Sequence, residues 1–188
     1  MLNLEAWKQK FAEKFPEKSP VFGEGQMDRP VVLVGEAPGG EEEAAGRPFV
    51  GKAGKNLNGF LEALSLPREQ LYVTNVVKIR PTKVNPKTGR IVNRPPSKEE
   101  IAFCLPLLQE ELETVAPQVV VTLGNVALQA VSGQEGLTVG ACHGKAMPMP
   151  GFTLFPLYHP AAIIYNQSLK AVYEADLAAL LQWMKAQS

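Results

Sequence analysis

The run Val31-Val32-Leu33-Val34 constrains the fold of this chain more than any other feature of its sequence. It is apolar at every position and too short for a helix, which is typical of a strand buried on both faces of a sheet. Further strands are predicted at 71–76, at 119–123 and at about 152–157. A sheet of such strands needs helices to cover it.

The segments between these strands have helical patterns. Apolar residues recur at helical spacing in 3–15 and in 54–65. The second of these helices is predicted to have one apolar face, formed by Leu57, Phe60, Leu61 and Leu64. Ser97 and Glu100 form a capping box, which predicts a helix from there towards Ala116. Alternating strands and helices predict an α/β fold, a three-layer α/β/α sandwich around a four-stranded, mainly parallel sheet.

Length and composition exclude several classes of protein. The 188 residues fit one domain, expected to span 1–188. No apolar run approaches the roughly 20 residues of a membrane-spanning helix, and the first residues lack a secretory signal pattern, so we expect a cytoplasmic protein with no membrane partner. Cys104 and Cys142 are expected to be reduced, because two cysteines make neither a disulfide scaffold nor a four-thiolate cluster.

The net charge is zero, but the basic residues are unevenly distributed. Residues 78–98 contain seven of them and no acid: Lys78, Arg80, Lys83, Lys87, Arg90, Arg94 and Lys98. Such a segment either binds phosphates or is a solvated loop without a partner, and the sequence leaves both interpretations open.

Three segments that carry polar or glycine-rich motifs follow predicted strands directly. They are 35–40, 75–80 and 158–165. In open α/β sheets, ligands bind beyond the carboxyl ends of the strands. We therefore expect these segments to share one cleft, although this indicates the position of a site and not its reaction.

The candidate side chains of that cleft each have a functional and a structural interpretation. Glu36 and Glu42 supply carboxylates that either act as a general base or are merely solvated. Phe49 either stacks on a planar base or packs in the core. Asn75 either reads the edge of a base or satisfies nearby backbone groups. His159 is either catalytic or structural.

Two further motifs lie near the end of the chain. The run Ile163-Ile164-Tyr165 is apolar in a predicted surface loop, so it either packs on the core or forms a wedge that enters DNA. His143 follows Cys142 directly, which is not the spacing of metal ligands, and we predict a structural role and no metal site.

Five sequence blocks closely resemble the uracil-DNA glycosylase superfamily, and within it the family 4 type. They are GEAPGGEEEAAGRPFVGKAG (35–54), YVTNVVKIRP (72–81), NRPPSKEE (93–100), PQVVVTLGNVAL (117–128) and YHPAAII (158–164). The resemblance implies a monofunctional enzyme that flips uracil out of DNA and hydrolyses its N-glycosidic bond, leaving an abasic site. A glycosylase for hypoxanthine or xanthine and a non-catalytic DNA-binding relative are the alternatives.

The resemblance also implies roles for individual residues. Glu36 lies near the attacking water, Ala37 lines the pocket, and Glu42 lies close to the pyrimidine ring. Phe49 stacks on uracil, Asn75 reads its polar edge, and His159 stabilises the negative charge that grows on uracil O2. The resemblance makes Ile163 or Ile164 the wedge, and the charge distribution makes Lys78, Arg80, Lys83, Arg90 and Arg94 the expected DNA contacts.

The chain departs from the family 4 pattern in its cysteines. Members of that type hold an iron–sulfur cluster on four cysteines, but no cysteine precedes Cys104 here, and Ile79 stands where the family has one. We therefore expect no iron–sulfur cluster and no other cofactor. Residues 78–98 contain no histidine, so the covalent attachment to DNA known from one offshoot is not expected. The expected partner is uracil-containing DNA, bound by a monomer.

Overall fold

The computed structural model describes residues 2–28, 30–63 and 65–187. In chain order its elements are α1 (Leu4–Lys14), β1 (Val31–Gly35), α2 (Gly40–Ala45), α3 (Lys52–Ala63), a 3₁₀ turn (Arg68–Gln70), β2 (Leu71–Asn75), β3 (Thr82–Val84), β4 (Ile91–Asn93), α4 (Lys98–Val115), β5 (Val119–Leu123), α5 (Asn125–Ser132), α6 (Val139–Cys142), β6 (Met147–Met149), β7 (Phe152–Leu157), α7 (Pro160–Tyr165) and α8 (Leu169–Gln187).

The central sheet has the strand order β2-β1-β5-β7-β6. The first four of these strands are parallel, with Val31 opposite both Leu71 and Val119. Every residue of β1, β2 and β5 is buried, as expected for strands covered on both faces. The four predicted strands are thus confirmed, and the sheet is mainly parallel.

The predicted number of strands was too low. A fifth strand, β6, pairs antiparallel with β7 at the edge of the sheet. It has only three residues and Pro148 at its centre, so it carries no strand pattern that could be recognised. A proline is tolerated there because an edge strand has one side without hydrogen-bonded neighbours.

Helices cover both faces of the sheet, which confirms the three-layer sandwich. Because successive side chains of a strand point to opposite faces, Leu33 and Val121 pack with α3 and α8 on one face. Val32 and Val120 pack with α1 and α4 on the other face. The predicted position of Leu64 on the buried face of its helix lies outside the described residues.

The capping box predicted at the start of α4 is present. The Glu100 amide donates to Ser97 Oγ at 3.2 Å, and the Ser97 amide donates to Glu100 Oε2 at 2.7 Å. The helix continues past Pro106 and ends at Val115, and the next residue, Ala116, has a φ of +48°. None of the helices in the described part of the chain is both long and apolar enough to cross a lipid bilayer.

A fully buried ion pair joins the end of β2 to α4. Lys78 Nζ donates to Glu111 Oε2 at 2.7 Å, to Thr74 Oγ1 at 2.6 Å and to the Asn75 carbonyl at 2.6 Å. Glu111 also accepts from Tyr72 and Thr74. Lys78 has no exposed surface, so its predicted contact with DNA is wrong, because its ammonium group is used inside the protein.

We predict that Glu111→Leu lowers the free energy of unfolding by about 3–5 kcal/mol, because it leaves the Lys78 ammonium buried without its counter-ion. Urea denaturation of the variant measures the change. The double variant Lys78→Met/Glu111→Leu is expected to recover most of the loss, since it buries no charge. The control is Glu113→Leu, an exposed position on the same helix. An equal loss in single and double variants would contradict the assigned role of the pair.

Candidate active site

A cleft of about 760 Å³ lies where β1, β2 and β7 end. This volume is in the range of pockets that bind small ligands. The structure brings the segments predicted to meet there together. The candidate residues that line the cleft are Glu36, Ala37, Glu42, Phe49, Asn75, Arg94, His159 and Ile164.

The segment between β1 and α3 folds tightly around Gly35. A side chain at this position would collide with the Phe49 ring and with the Asn75 amide oxygen. The absence of a side chain therefore allows these two predicted base-binding groups to approach each other at one end of the cleft.

Glu42 holds this segment in shape. Its carboxylate accepts from the Gly39 amide at 3.1 Å and from the Gly51 amide at 2.9 Å, so it bridges the two ends of the segment. The residues around Glu42 form the short helix α2 and not a solvated loop, and Glu42 lies in the first turn of this helix. Glu42 is therefore a structural bridge that also lines the cleft.

Phe49 is held in a backbone conformation that few side chains adopt. Its φ is +53°, in the left-handed region. The Phe49 carbonyl accepts from Arg68 at 2.7 Å, and Arg68 also donates to the Pro48 carbonyl. Gly54 packs so closely on the Phe49 backbone that no side chain would fit. The ring belongs both to the core and to the wall of the cleft.

Sequence reasoning missed Arg68 entirely. It begins a 3₁₀ turn of three polar residues, where nothing in the local pattern distinguishes it from a solvated arginine. Its contacts are with backbone carbonyls about 20 residues earlier in the chain, and only the folded chain brings these groups together.

Asn75 is the last residue of β2 and is almost fully buried. Its carbonyl is fixed from behind by Lys78, at 2.6 Å. The side chain lines the cleft. The amide is therefore held on a rigid strand end, with one acceptor and two donors available to a ligand.

His159 caps the start of α7. Its Nδ1 accepts from the Ala161 amide at 3.1 Å, which fixes the neutral tautomer with the hydrogen on Nε2. Burial lowers the pKa of His159 to about 4, against a smaller upward effect of the Glu42 charge. The ring lies roughly parallel to Phe49, with 6.0 Å between the ring centroids. Near pH 7 this histidine is thus a neutral donor in the cleft.

Glu36 follows β1 directly and is partly buried in the same cleft. Burial raises the pKa of its carboxyl group above the ordinary value. A carboxylate whose pKa is raised binds a proton more strongly, which suits a general base.

The segment around residue 163 is the helix α7 and not a surface loop. Ile163 is buried in the core, so its prediction as a DNA wedge is wrong. Ile164 lines the cleft, and Tyr165 beside it is 89% exposed. Ile164 and Tyr165 therefore both offer apolar surface to a ligand in the cleft.

The predicted basic segment divides into paired and unpaired side chains. Arg94 forms two bonds with Glu100, at 2.7 and 2.8 Å, and Arg80 contacts Asn93 and Glu43. In the described part of the chain, no acidic side chain pairs with Lys83, Lys87 or Arg90.

The residues present do not fit an iron–sulfur cluster. Cys104 is fully buried in the same apolar layer as Ile79, and Cys142 packs in a separate cluster with Val139 and Leu154. Among the described residues, no three cysteine, histidine or acidic side chains form a group that could hold a metal ion. His143 pairs with Asp176 at 2.8 Å.

Comparison with known proteins gives consistent matches over most of the chain. The family model of the Uracil DNA glycosylase superfamily matches residues 22–184. A type-4 uracil-DNA glycosylase of Sulfurisphaera tokodaii is 37% identical over 164 residues, which cover 83% of this chain and 70% of that protein.

Two other relatives support the same assignment. A type-4 uracil-DNA glycosylase of Thermotoga maritima is 34% identical over 168 residues, or 88% of this chain and 83% of the relative. A type-5 uracil-DNA glycosylase of Pyrobaculum aerophilum is 34% identical over 165 residues, or 78% of this chain and 68% of the relative. The chain therefore belongs to the uracil DNA glycosylase superfamily.

Proposed function

We propose that this protein is a DNA repair glycosylase that takes uracil flipped out of DNA into its cleft and hydrolyses the N-glycosidic bond. The observation that carries the proposal is the neutral His159, whose Nε2 hydrogen is fixed by the bond from Ala161 to Nδ1. Relatives that are 34–37% identical to this chain over the aligned residues are named uracil-DNA glycosylases.

Breaking the glycosidic bond separates charge. Uracil leaves as an anion with negative charge on O2, while the deoxyribose ring becomes cationic. A donor that is already in place where charge develops stabilises the transition state by roughly 3–4 kcal/mol, by analogy with oxyanion holes. In this chain we assign that donor to Nε2 of His159.

The neutral form of His159 is the one that the fold supports. A protonated ring would carry hydrogen on both nitrogen atoms, so Nδ1 would then meet the Ala161 amide donor to donor. Burial disfavours the charged ring as well. The donor is therefore ready before uracil binds, and no proton has to be taken up first.

We assign to Glu36 the role of general base for the attacking water. Its carboxylate lies in the same cleft, where it can accept a proton from water as the oxygen adds to C1′ of the cationic sugar. The proton that Glu36 takes up is released to solvent, and the departing uracil anion takes one proton from solvent, so the products are free uracil and an abasic site. The negative charge of Glu36 also stabilises the developing sugar cation. No step requires a Schiff base.

We assign to Phe49 and Asn75 the recognition of the uracil base. The Phe49 ring offers a flat apolar surface for the pyrimidine. The Asn75 amide presents a donor beside an acceptor, which matches the polar edge of uracil and opposes that of cytosine. A buried mismatch of this kind leaves polar groups unpaired and strongly disfavours the wrong base.

We further propose that the protein acts as a monomer in the cytoplasm, with no metal and no cofactor. The two cysteines and the buried Ile79 beside Cys104 support the absence of the cluster. The reaction described above uses only side chains of this chain, water and DNA.

The proposed function is tested with a duplex that carries one uracil, followed by alkali to cleave abasic sites. We predict that protein dialysed against a chelator releases uracil and leaves undamaged and hypoxanthine-containing duplexes intact. His159→Ala is expected to lower the single-turnover rate about 10²–10³-fold, because it removes the donor to O2. The matched control is His143→Gln, the other histidine, which lies outside the cleft. Equal rates for His159→Ala and the native protein would disprove the assignment.

We also predict that Asn75→Asp reduces the preference for uracil over cytosine. A carboxylate accepts from the exocyclic amino group of cytosine and has lost the donors that an amide offers to uracil. The measurement is the ratio of kcat/KM for duplexes carrying uracil and an unpaired cytosine. If the ratio equals that of the native protein, Asn75 does not discriminate uracil from cytosine.

A further inference from the structure

The strands β3 and β4 form an antiparallel hairpin (residues 82–93) whose outer end has no role in the reaction described above. A solvated loop was one of the two interpretations that the sequence left open for the basic segment 78–98. Val84 and Ile91 are direct partners across the hairpin, and they are 64% and 65% exposed. Two large β-branched side chains thus form an apolar pair that the protein itself does not cover.

The hairpin is rigidly built. Beyond the apolar pair, the Asn85 amide donates to the Arg90 carbonyl at 2.8 Å. The Asn85 side chain accepts from the Lys87 amide at 2.9 Å and from the Thr88 amide at 3.3 Å, which closes the turn. A turn closed by its own side chain presents the neighbouring residues in a fixed geometry.

The base of the hairpin is anchored at the cleft. Lys18 donates to Thr82 Oγ1 at 2.8 Å, and Arg94 donates to the Thr82 carbonyl at 3.0 Å. Pro81, Asn93 and Arg94 are part of the wall of the cleft. The hairpin therefore projects from the rim of the proposed active site.

The apolar pair lies on the same face of the hairpin as the cleft residue Asn93. Side chains alternate along a strand, and directly opposite residues share a face. Thr82 lies opposite Asn93, and Val84 lies opposite Ile91, so all four belong to one face. Two residues along a strand span about 7 Å, which corresponds to about two base-pair steps of B-DNA.

Basic residues flank this pair along the chain. Lys83, Lys87 and Arg90 are exposed, and none of them pairs with an acid in the described part of the chain. The sequence contains no acidic residue from 79 to 98. An apolar pair bordered by unpaired cations fits a surface that combines apolar sugar edges with phosphates, which is the surface of DNA.

We propose that the hairpin is a second DNA-contact element, which holds the duplex beside the flipped nucleotide. Val84 and Ile91 pack against the sugars about two base-pair steps from the uracil, and Lys87 and Arg90 bind phosphates. The inference rests on the proposed function, because the cleft fixes which face of the hairpin meets the DNA. It assigns duplex binding to a part of the chain outside the reaction site.

The charge part of the proposal is tested by binding to undamaged duplex, which requires no catalysis. We predict that K87Q/R90Q makes the slope of log affinity against log salt concentration shallower by about 1.8, as expected for two lost phosphate contacts. The control is K145Q/K185Q, which removes two exposed lysines away from the cleft. Equal slopes for the two variants would overturn the proposal.

The apolar part is tested with V84S/I91S on two substrates. On a long duplex carrying one uracil, kcat/KM is expected to fall about tenfold through KM, because two apolar contacts are lost. On a trinucleotide with central deoxyuridine, which is too short to reach the pair, kcat/KM is expected to match the native protein. Native values on both substrates would overturn the proposal.

The experiments distinguish a wrong assignment of DNA binding to the hairpin from a wrong proposed function. If the native protein releases uracil from neither substrate, the proposed function is wrong, and the salt slopes still decide whether the hairpin binds DNA. If V84S/I91S instead converts a dimeric native protein into a monomer by light scattering, the pair binds a second copy of this chain, and the proposal is wrong.

Discussion

The end of β2 is held from behind by the buried ion pair of Lys78 and Glu111, and the site depends on this constraint. Lys78 binds the Asn75 carbonyl directly, so the asparagine amide is presented to the cleft from a strand end that cannot shift independently of α4. On the other side, Gly35 leaves just enough room for the Phe49 ring beside that amide. A charge buried in this way is costly unless it is fully paired, and here the same pairing fixes the group that is proposed to recognise the base.

Apolar packing occupies the region where the resemblance to the family 4 type implied an iron–sulfur cluster. Cys104 and Ile79 lie in one buried layer with Trp7 and Phe11 of the first helix. Phe103 lies at their edge, with its ring centroid 5.1 Å from that of Phe11 and 6.3 Å from that of Trp7. Aromatic contacts of this kind add to the free energy gained from burial. They attach α1 to α4.

The sequence predicted those features whose signals are local, and it missed those that depend on distant partners. The four buried strands and the capping box of Ser97 were predicted because a few adjacent residues determine them. The burial of Lys78 could not be predicted, since its partner lies 33 residues further along the chain. The edge strand β6 and the hairpin of β3 and β4 form by pairing and have little pattern of their own. In the site, the residue types were recognisable, but the left-handed backbone of Phe49 depends on contacts from Arg68 and Gly54.

The central claim is that His159 acts as a neutral donor through Nε2, and nitrogen NMR of the imidazole ring tests it most directly. The chain has two histidines, so a His143→Gln variant assigns the signals of His159. Because burial lowers the pKa of His159 to about 4, we predict hydrogen on Nε2 and no titration between pH 8 and about pH 5, with protonation only below that range. Stability that depends on the neutral ring is likewise lost only as the pH falls from the ordinary histidine value, about 6.5, through 4. Titration near the ordinary histidine value, or hydrogen on Nδ1, would contradict the account.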